Sequence, residues 1–372
     1  MRDGFIKVAA GTPKIKVADC EYNAEQIIAL MKEAAGQGVK VLALPELCIT
    51  GYTCGDLFLQ PTLLEGAEKA LGRILEETRD LDMLTALGIP VLRGNKLYNC
   101  AAVLYRGEVR WLVPKMNIPN YGEFYENRWF TPGNGYIGPS DDLLRCVCAG
   151  NDVLFCFENM PNLVVGVEIC EDLWAVDPPS RRLAEAGATL ILNLSASDEV
   201  AGKAAYRRQL VTGQSARCVC GYVYADAGEG ESTTDLVFAG HNIIAENGAV
   251  LAETRFQTGL TVSEIDVDRL AFERRKMNTY DTQTTNWVRT AFSLRAEETK
   301  LTRPIGKNPF VPEDPGDRQA RCEEIFTIAA LGLKKRLEHT RASCAVVGLS
   351  GGLDSTLALL ITARAFDMLD RP

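Results

Sequence analysis

Apolar and polar positions alternate along the chain in two rhythms, one near 2 and one near 3.6 residues. Phe5 to Ala10 reads as a strand. A helix is expected from about Asn23, with Asn23 as its cap and Gln26 three positions on, as in a capping box. Ile27, Leu30, Met31, Ala34 and Ala35 share one face, and Gly36 and Gly38 end the helix. Val39 to Leu44 is a short apolar run that reads as a buried strand, giving a β-α-β unit. A second helix covers about Thr62 to Leu81. Strands follow at Leu87–Leu92, Tyr98–Tyr105 and Glu108–Val113, the last two joined by a tight turn at Arg106-Gly107. Residues 114–142 are rich in Pro, Gly, Asn and aromatics and read as an ordered loop.

Strand patterns return at Val153–Phe157 and Leu163–Ile169. A helix at Ser180–Ala186 leads to a strand at Thr189–Leu194, and a helix at about Ala201–Arg217 leads to a strand at Gly221–Ala225. Leu236–Ala245 and Ala249–Thr254 flank Glu246-Asn247-Gly248, and Asn-Gly between apolar runs is a strong hairpin signal. These strands need helices on one face and another sheet on the other, so residues 1 to about 265 are expected to form a layered α/β sandwich. Residues 266–320, charged and with four prolines at 304, 309, 312 and 315, read as a linker wrapping the surface. A helix is expected at about Arg318–Leu337, then a strand at Ala345–Leu349 opening a second domain.

Composition narrows the function. The chain has 372 residues, 47 % of them apolar, which allows roughly two domains with large cores. A formal net charge of −9 argues against a nucleic-acid surface, because phosphate binding is led by Lys and Arg. No apolar run reaches about 18 residues, so no membrane span is expected. Met1-Arg2-Asp3 lacks the layout of a signal peptide. Twelve cysteines occur without a C-x-x-C pair, which speaks against a zinc or redox motif and suits a reducing cytoplasm. Cys146/Cys148 and Cys218/Cys220 are read as strand pairs, each on one face and buried as small core residues. With only His241 and His339 present, neither a histidine triad nor a multi-histidine metal site is expected.

Three segments carry candidate chemistry. In Leu44-Pro45-Glu46-Leu47-Cys48, Glu46 lies just past a buried strand, where α/β sheets place ligands. In Val113-Pro114-Lys115-Met116-Asn117, Lys115 also follows a strand. In Val167-Glu168-Ile169-Cys170-Glu171-Asp172, an apolar strand runs into a cysteine flanked by acids. Taken singly, these are a loop acid, a solvated lysine and a buried structural thiol. Taken together they answer a chemical need. A free thiol is only a few per cent thiolate at neutral pH, so a reactive Cys170 requires a base for its proton and a cation for developing charge.

The order Glu46, Lys115, Cys170, with Leu-Pro-Glu, Pro-Lys and Gly-Val-Glu-Ile-Cys-Glu-Asp around them, resembles the Glu-Lys-Cys triad of the nitrilase (carbon–nitrogen hydrolase) superfamily. Glu126-Asn127-Arg128-Trp129-Phe130 is similar to the segment carrying that family's second glutamate. The resemblance covers about residues 5–265. It implies an α-β-β-α sandwich in which Glu46 is general base and acid, Cys170 attacks a carboxamide, Lys115 and the Glu171 N–H hold the oxyanion, and Glu126 positions Lys115 or water. It implies no cofactor for this half.

The C-terminal Gly348-Leu349-Ser350-Gly351-Gly352-Leu353-Asp354-Ser355-Thr356 reads as strand, Gly-rich loop and helix, an arrangement that can cradle phosphates. It lacks the Gly-Lys-Ser/Thr ending of a Walker A loop. It resembles the pyrophosphate loop of ATP pyrophosphatases, with Ser350, Gly351, Gly352, Asp354 and Ser355 as ATP-binding candidates. An amidase followed by this loop looks like the glutamine-dependent NAD synthetase family. That resemblance implies L-glutamine as substrate, and ATP, Mg and deamido-NAD for the full-length enzyme. It makes Tyr52, Glu171, Ser197 and Lys203 candidates for the amino-acid end of glutamine, with Tyr121 and Phe124 lining the pocket. It also implies a homo-oligomer in the cytoplasm.

The expected organisation is therefore a nitrilase-type glutaminase domain over 1–265, a linker and connecting helix over 266–340, and a truncated Rossmann-like segment over 341–372. One strand and one helix cannot make a nucleotide-binding sheet, so residues 341–372 are expected to be partly disordered or packed on the first domain. No NAD synthesis is expected of this chain alone, and glutaminase activity would be the most it shows, even that being open to impairment without a synthetase domain. Two other readings compete: a stand-alone amidase on another small amide or nitrile, and a catalytically silent oligomeric scaffold.

Overall fold

Alternation along each strand sorts its side chains into two different cores, and that sorting builds the layers. The computed structural model describes residues 2–134, 147–231, 235–280, 287–295 and 297–369. The chain begins with β1 (Phe5–Thr12), α1 (Cys20–Gly36), β2 (Val41–Ala43), α2 (Pro61–Thr78), β3 (Leu84–Arg93), β4 (Lys96–Tyr105) and β5 (Glu108–Pro114). It continues with β6 (Val153–Phe157), β7 (Val164–Ile169), α3 (Glu171–Trp174), α4 (Pro179–Glu185), β8 (Leu190–Ser195), α5 (Lys203–Cys218) and β9 (Gly221–Asp226). The hairpin β10 (Asn242–Glu246) and β11 (Ala249–Thr254) then precedes β12 (Gly259–Asp266).

One sheet runs β12-β1-β2-β3-β4-β5 and the other β11-β10-β9-β8-β7-β6, with a further strand beyond β6. Ile6, Val8 and Ala10 meet Val165, Leu192 and Val223 in a core between the sheets. Leu42, Leu87 and Ile89 turn the other way, onto α1 and α2. Ile191, Tyr222 and Ile243 turn onto α4 and α5. The expected α-β-β-α sandwich is what forms, because a period of 2 gives each strand two apolar faces to bury.

Several local expectations are corrected. Asp19, not Asn23, caps α1, its carboxylate accepting the Tyr22 N–H at 3.1 Å. Asn23 is buried inside the helix and ties it to the Lys16 and Ile49 carbonyls, each at 2.9 Å. The strand expected from Leu236 begins only at Asn242. Cys218 closes α5 and Cys220 precedes β9, so they do not share a strand face, though both are buried. Cys148 is exposed, and its expected partner Cys146 lies outside the described residues, as do 135–142 of the expected loop.

The first compact unit runs to Arg303 rather than stopping near residue 265. Within the expected linker, α6 (Val267–Lys276) and β13 (Val288–Phe292) are regular elements, and β13 extends the second sheet in parallel beside β6. Beyond it, α7 (Pro315–Thr340) and α8 (Leu353–Asp367) form a second unit, packed through Leu337, Ala365 and Phe366. Residues 345–349, expected as a strand, are irregular, with Val346 and Leu349 exposed. A parallel strand needs neighbours for its backbone, and the described residues of this unit supply none. Among the described residues no helix is long and apolar enough to cross a membrane.

Candidate active site

Strand ends bring the three candidate residues to one end of the two sheets. Glu46 follows β2, Cys170 follows β7, and Lys115 follows β5. The Glu46 loop folds back over β3: the Gly88 N–H donates to the Pro45 carbonyl at 3.1 Å, and a Cβ on Gly88 would stand 2.0 Å from the Leu47 nitrogen. Glycine is thus required at that crossing. Lys115 is placed through β4, where its N–H donates to the Asn99 carbonyl at 2.8 Å.

The side chains then converge. Lys115 Nζ lies 2.6 Å from Glu46 Oε1 and 2.7 Å from Glu126 Oε1. Asn99 Nδ2 donates to Glu46 Oε1 at 2.6 Å, and the Tyr52 hydroxyl donates to Glu126 Oε1 at 2.8 Å. The Ala196 N–H donates to Glu46 Oε2 at 3.0 Å. Glu46 and Lys115 are fully buried, and Cys170 is 6 % exposed. Glu126 Oε2 is buried with no hydrogen-bond partner among the described residues.

This proximity sets the electrostatics. Burial pushes the Cys170 thiol well above its ordinary value; Glu46 and Glu126 add to this, while Lys115 and the Ala196 N–H oppose it. Burial works against the Lys115 ammonium, but Glu126 and Glu46 outweigh it and hold its pKa well above the usual lysine value. Burial raises the Glu126 carboxyl, against the pull of Lys115. The resting site therefore pairs a protonated thiol with a charged lysine. Thiolate would form only as a base removes the proton.

Cys170 has φ 42° and ψ −99°, a conformation rarely held by a residue with a Cβ. Such a residue stores about 1–3 kcal/mol of strain. Hydrogen bonds on each side hold it: Asp172 Oδ2 accepts the Ile169 N–H at 3.0 Å, and the Leu194 carbonyl accepts the Cys170 N–H at 3.0 Å. Asp172 Oδ1 also accepts the backbone and side-chain N–H groups of Asn117, both at 2.9 Å, linking the lysine loop to the cysteine turn.

The residues expected to bind glutamine divide into groups. Tyr121 donates to Glu171 Oε1 at 2.7 Å and meets the Phe124 ring edge-on at 5.9 Å. Lys203 Nζ lies over Phe124 and Trp174, at 5.4 and 5.5 Å, and is ion-paired with Asp198. Tyr52 stands apart from these, on Glu126. Ser197 Oγ accepts from the buried Arg207 at 3.0 Å, and Arg207 also contacts Glu199 and His241. The ATP candidates lie in the second unit: Gly351 has φ +81°, Ser350 and Ser355 hydroxyls are 3.3 Å apart, Ser355 bonds to the Gly352 carbonyl at 3.1 Å, and Asp354 is exposed.

Sequence reasoning missed Asn99, Trp174, Arg207 and Glu231. Glu231 accepts the Tyr52 N–H at 2.7 Å and so holds the loop bearing Tyr52. A polar Asn99 within the apolar strand Tyr98–Tyr105 was a readable signal. Arg207 was not, since it sits among other charges on a helix.

The chain is 40 % identical over 381 residues to the glutamine-dependent NAD(+) synthetases of Mycobacterium bovis and Mycobacterium tuberculosis, covering 99 % of this chain and 56 % of those proteins. It thus spans a little over half the length of the curated relatives it matches. A crystal structure of a glutamine-dependent NAD(+) synthetase from Cytophaga hutchinsonii matches with a TM-score of 0.61 at 33 % identity, over 73 % of this chain and 44 % of that one. An amidase from Nesterenkonia sp. AN1, with the acetamide moiety of fluoroacetamide on its active-site cysteine, shares the fold at a TM-score of 0.59 and 21 % identity, covering 74 % of this chain and 96 % of that one. The carbon–nitrogen hydrolase model matches residues 7–275, and the chain therefore belongs to that family.

Proposed function

We propose that this chain is the glutamine-hydrolysing part of a glutamine-dependent NAD synthetase. The observation that carries the reading is the buried Lys115 ammonium, 2.6 Å from Glu46 and 2.7 Å from Glu126, with all three charges acting on the Cys170 thiol. Similarity to NAD synthetases along 99 % of the chain supports the substrate.

Glu46 takes the thiol proton as Cys170 Sγ attacks the carboxamide carbon of L-glutamine. Negative charge gathers on the amide oxygen, where Lys115 and the Glu171 N–H hold it. Glu46 returns the proton to nitrogen, the C–N bond breaks, and ammonia leaves a γ-glutamyl thioester. Water, deprotonated by Glu46, attacks the thioester. The thiol leaves with the proton, and glutamate is released. Glu126 orients Lys115 through Oε1, or that water through Oε2, which has no partner among the described residues. Glu171, Tyr121, Phe124 and Lys203 are assigned to the amino-acid end of glutamine and its pocket, with Ser197 and Tyr52 as further candidates.

In the whole protein, ammonia would amidate adenylated deamido-NAD, with Mg and with ATP held by the loop of Ser350, Gly351, Gly352, Asp354 and Ser355. The free thiols of the eleven described cysteines suit a reducing cytoplasm, and assembly as a homo-oligomer belongs to the same reading.

Ammonia release from L-glutamine by the wild-type chain and by Cys170→Ala tests the proposal. The expected result is release that falls to background in the variant while its circular dichroism is unchanged. Turnover retained in Cys170→Ala would falsify the nucleophile. Simple amides hydrolysed as well as L-glutamine would point instead to a stand-alone amidase.

A further inference from the structure

Behind the cysteine turn runs a row of buried polar groups that the reaction above leaves unused. The Cys170 N–H, already on the Leu194 carbonyl, also donates to Asn193 Oδ1 at 3.2 Å. Asn193 Oδ1 accepts the Ser195 hydroxyl at 2.6 Å, and Asn193 Nδ2 donates to the Tyr222 hydroxyl at 3.1 Å. Tyr222 in turn donates to Glu168 Oε1, and Glu168 Oε2 accepts the Ser180 N–H at 2.7 Å. Glu168 and Asn193 pair in register on adjacent parallel strands, and Glu168, Asn193, Tyr222 and Ser180 are each at most 1 % exposed.

With Glu168 ionised, the donor sense of this row has one consistent solution. An ionised carboxylate can only accept, so the single hydroxyl proton of Tyr222 points at Glu168. The hydroxyl then offers Asn193 a lone pair, which only the amide NH2 can meet. That choice turns the Asn193 carbonyl oxygen toward the Cys170 N–H. A buried carboxylate is costly to keep without such donors, and the row ends at Cys170, whose backbone is held at positive φ.

We infer that Glu168 is a positioning residue for the Cys170 thiol, acting through Tyr222 and Asn193 to hold the cysteine turn in its reactive conformation. The inference rests on Cys170 being the nucleophile. Glu168→Gln keeps the shape but replaces one acceptor by a donor. With the glutamine oxygen on Ser180, its NH2 meets Tyr222, the hydroxyl proton turns to Asn193, and the amide presents NH2 to the Cys170 N–H. Tyr222→Phe removes the link outright.

The test compares wild type, Glu168→Gln, Tyr222→Phe and the double variant of the full chain, with rates taken per active thiol. The expected result is a kcat for glutamine lower by at least about tenfold in each single variant, KM within about twofold, and a double variant no worse than the worse single, because both changes break one row. A purely structural role would lower the folded fraction and leave kcat per active thiol unchanged. The alkylation rate of Cys170 by iodoacetamide, read by mass spectrometry, is expected to fall in parallel. It needs no glutamine turnover, so an inactive wild type would overturn the functional reading while alkylation still decides the positioning. Single variants with wild-type kcat and alkylation rates, or effects that multiply in the double variant, overturn the inference. If Glu168→Gln does not fold, Tyr222→Phe, which loses one oxygen, decides alone.

Discussion

Glu46 depends on an atom that Gly88 does not have. The loop carrying the acid crosses β3 so closely that a methyl at Gly88 would strike backbone, which cannot swing aside as a side chain can. Gly88→Ala is expected to lower kcat for ammonia release about 10²-fold, the scale of an ångström-sized displacement of a catalytic group. Circular dichroism should show the secondary structure retained; an undiminished kcat would remove the need for that crossing. The nearness of Glu46, Lys115 and Cys170 was readable in the sequence because an acid, a lysine and a cysteine each stood at a strand end in an order with chemical sense. The groups that aim it were less so. Ala196 works through its N–H, which any residue but proline would offer, and Glu231 acts on a loop 179 residues away in sequence. Asn23 misled for the same reason: its amide reaches the Ile49 carbonyl, a contact that local spacing does not encode.

At the level of elements, regular structure was readable where a strand or helix buries much apolar surface and obscure where it buries little. The helix α6 buries only Val267 and Leu270, so its charges read as a linker. The segment after it is held by polar contacts. Arg303 donates to both Glu246 oxygens, at 2.8 and 3.1 Å, and to the Glu264 carbonyl at 2.7 Å. Both side chains of the Arg303–Glu246 pair are largely buried, at 12 and 5 % exposure. Removing one partner of such a pair strands the other, so Arg303→Ala is expected to lower unfolding free energy by about 3 kcal/mol. Urea unfolding measures this, and glutamine turnover of the folded fraction should be unchanged, since Arg303 touches none of the site residues. The strand expected at 345–349 failed differently. Its apolar run is real, but a run becomes a strand only beside another strand.

For the molecule as a whole, buried acids govern the response to pH. Burial pushes Glu168 and Glu231 up to about 7, and Asp172 and Asp226 up to about 6. In the unfolded chain these groups ionise near their ordinary values, about 4. Across the interval between, the folded chain binds more protons, so its stability is greatest at the acid end and is lost as pH rises toward 7. His241 runs the other way, because burial lowers its pKa and the folded chain there binds fewer protons. These four acids, with Glu126 also raised to about 7, outweigh one imidazole and set the sign. Calorimetry is expected to give a higher midpoint at about pH 5.5 than at about pH 7.5; a midpoint that climbs over that range would refute the raised pKa values of these buried acids. The layered architecture was legible because alternating apolar positions demanded two covered faces, whereas the titration behaviour depends on which acids end up inside, and only the folded packing decides that.

The pairing of β1 with β12 has a bearing on biosynthesis. Phe5 lies opposite Asp266 and Thr12 opposite Gly259, so β1 acquires its outer neighbour only when β12, made about 250 residues later, has emerged. Contacts between such distant positions are slow to close. During elongation the outer edge of β1 stays open, a template for the wrong partner, and a nascent chain halted before residue 259 would carry that hazard for as long as it was stalled.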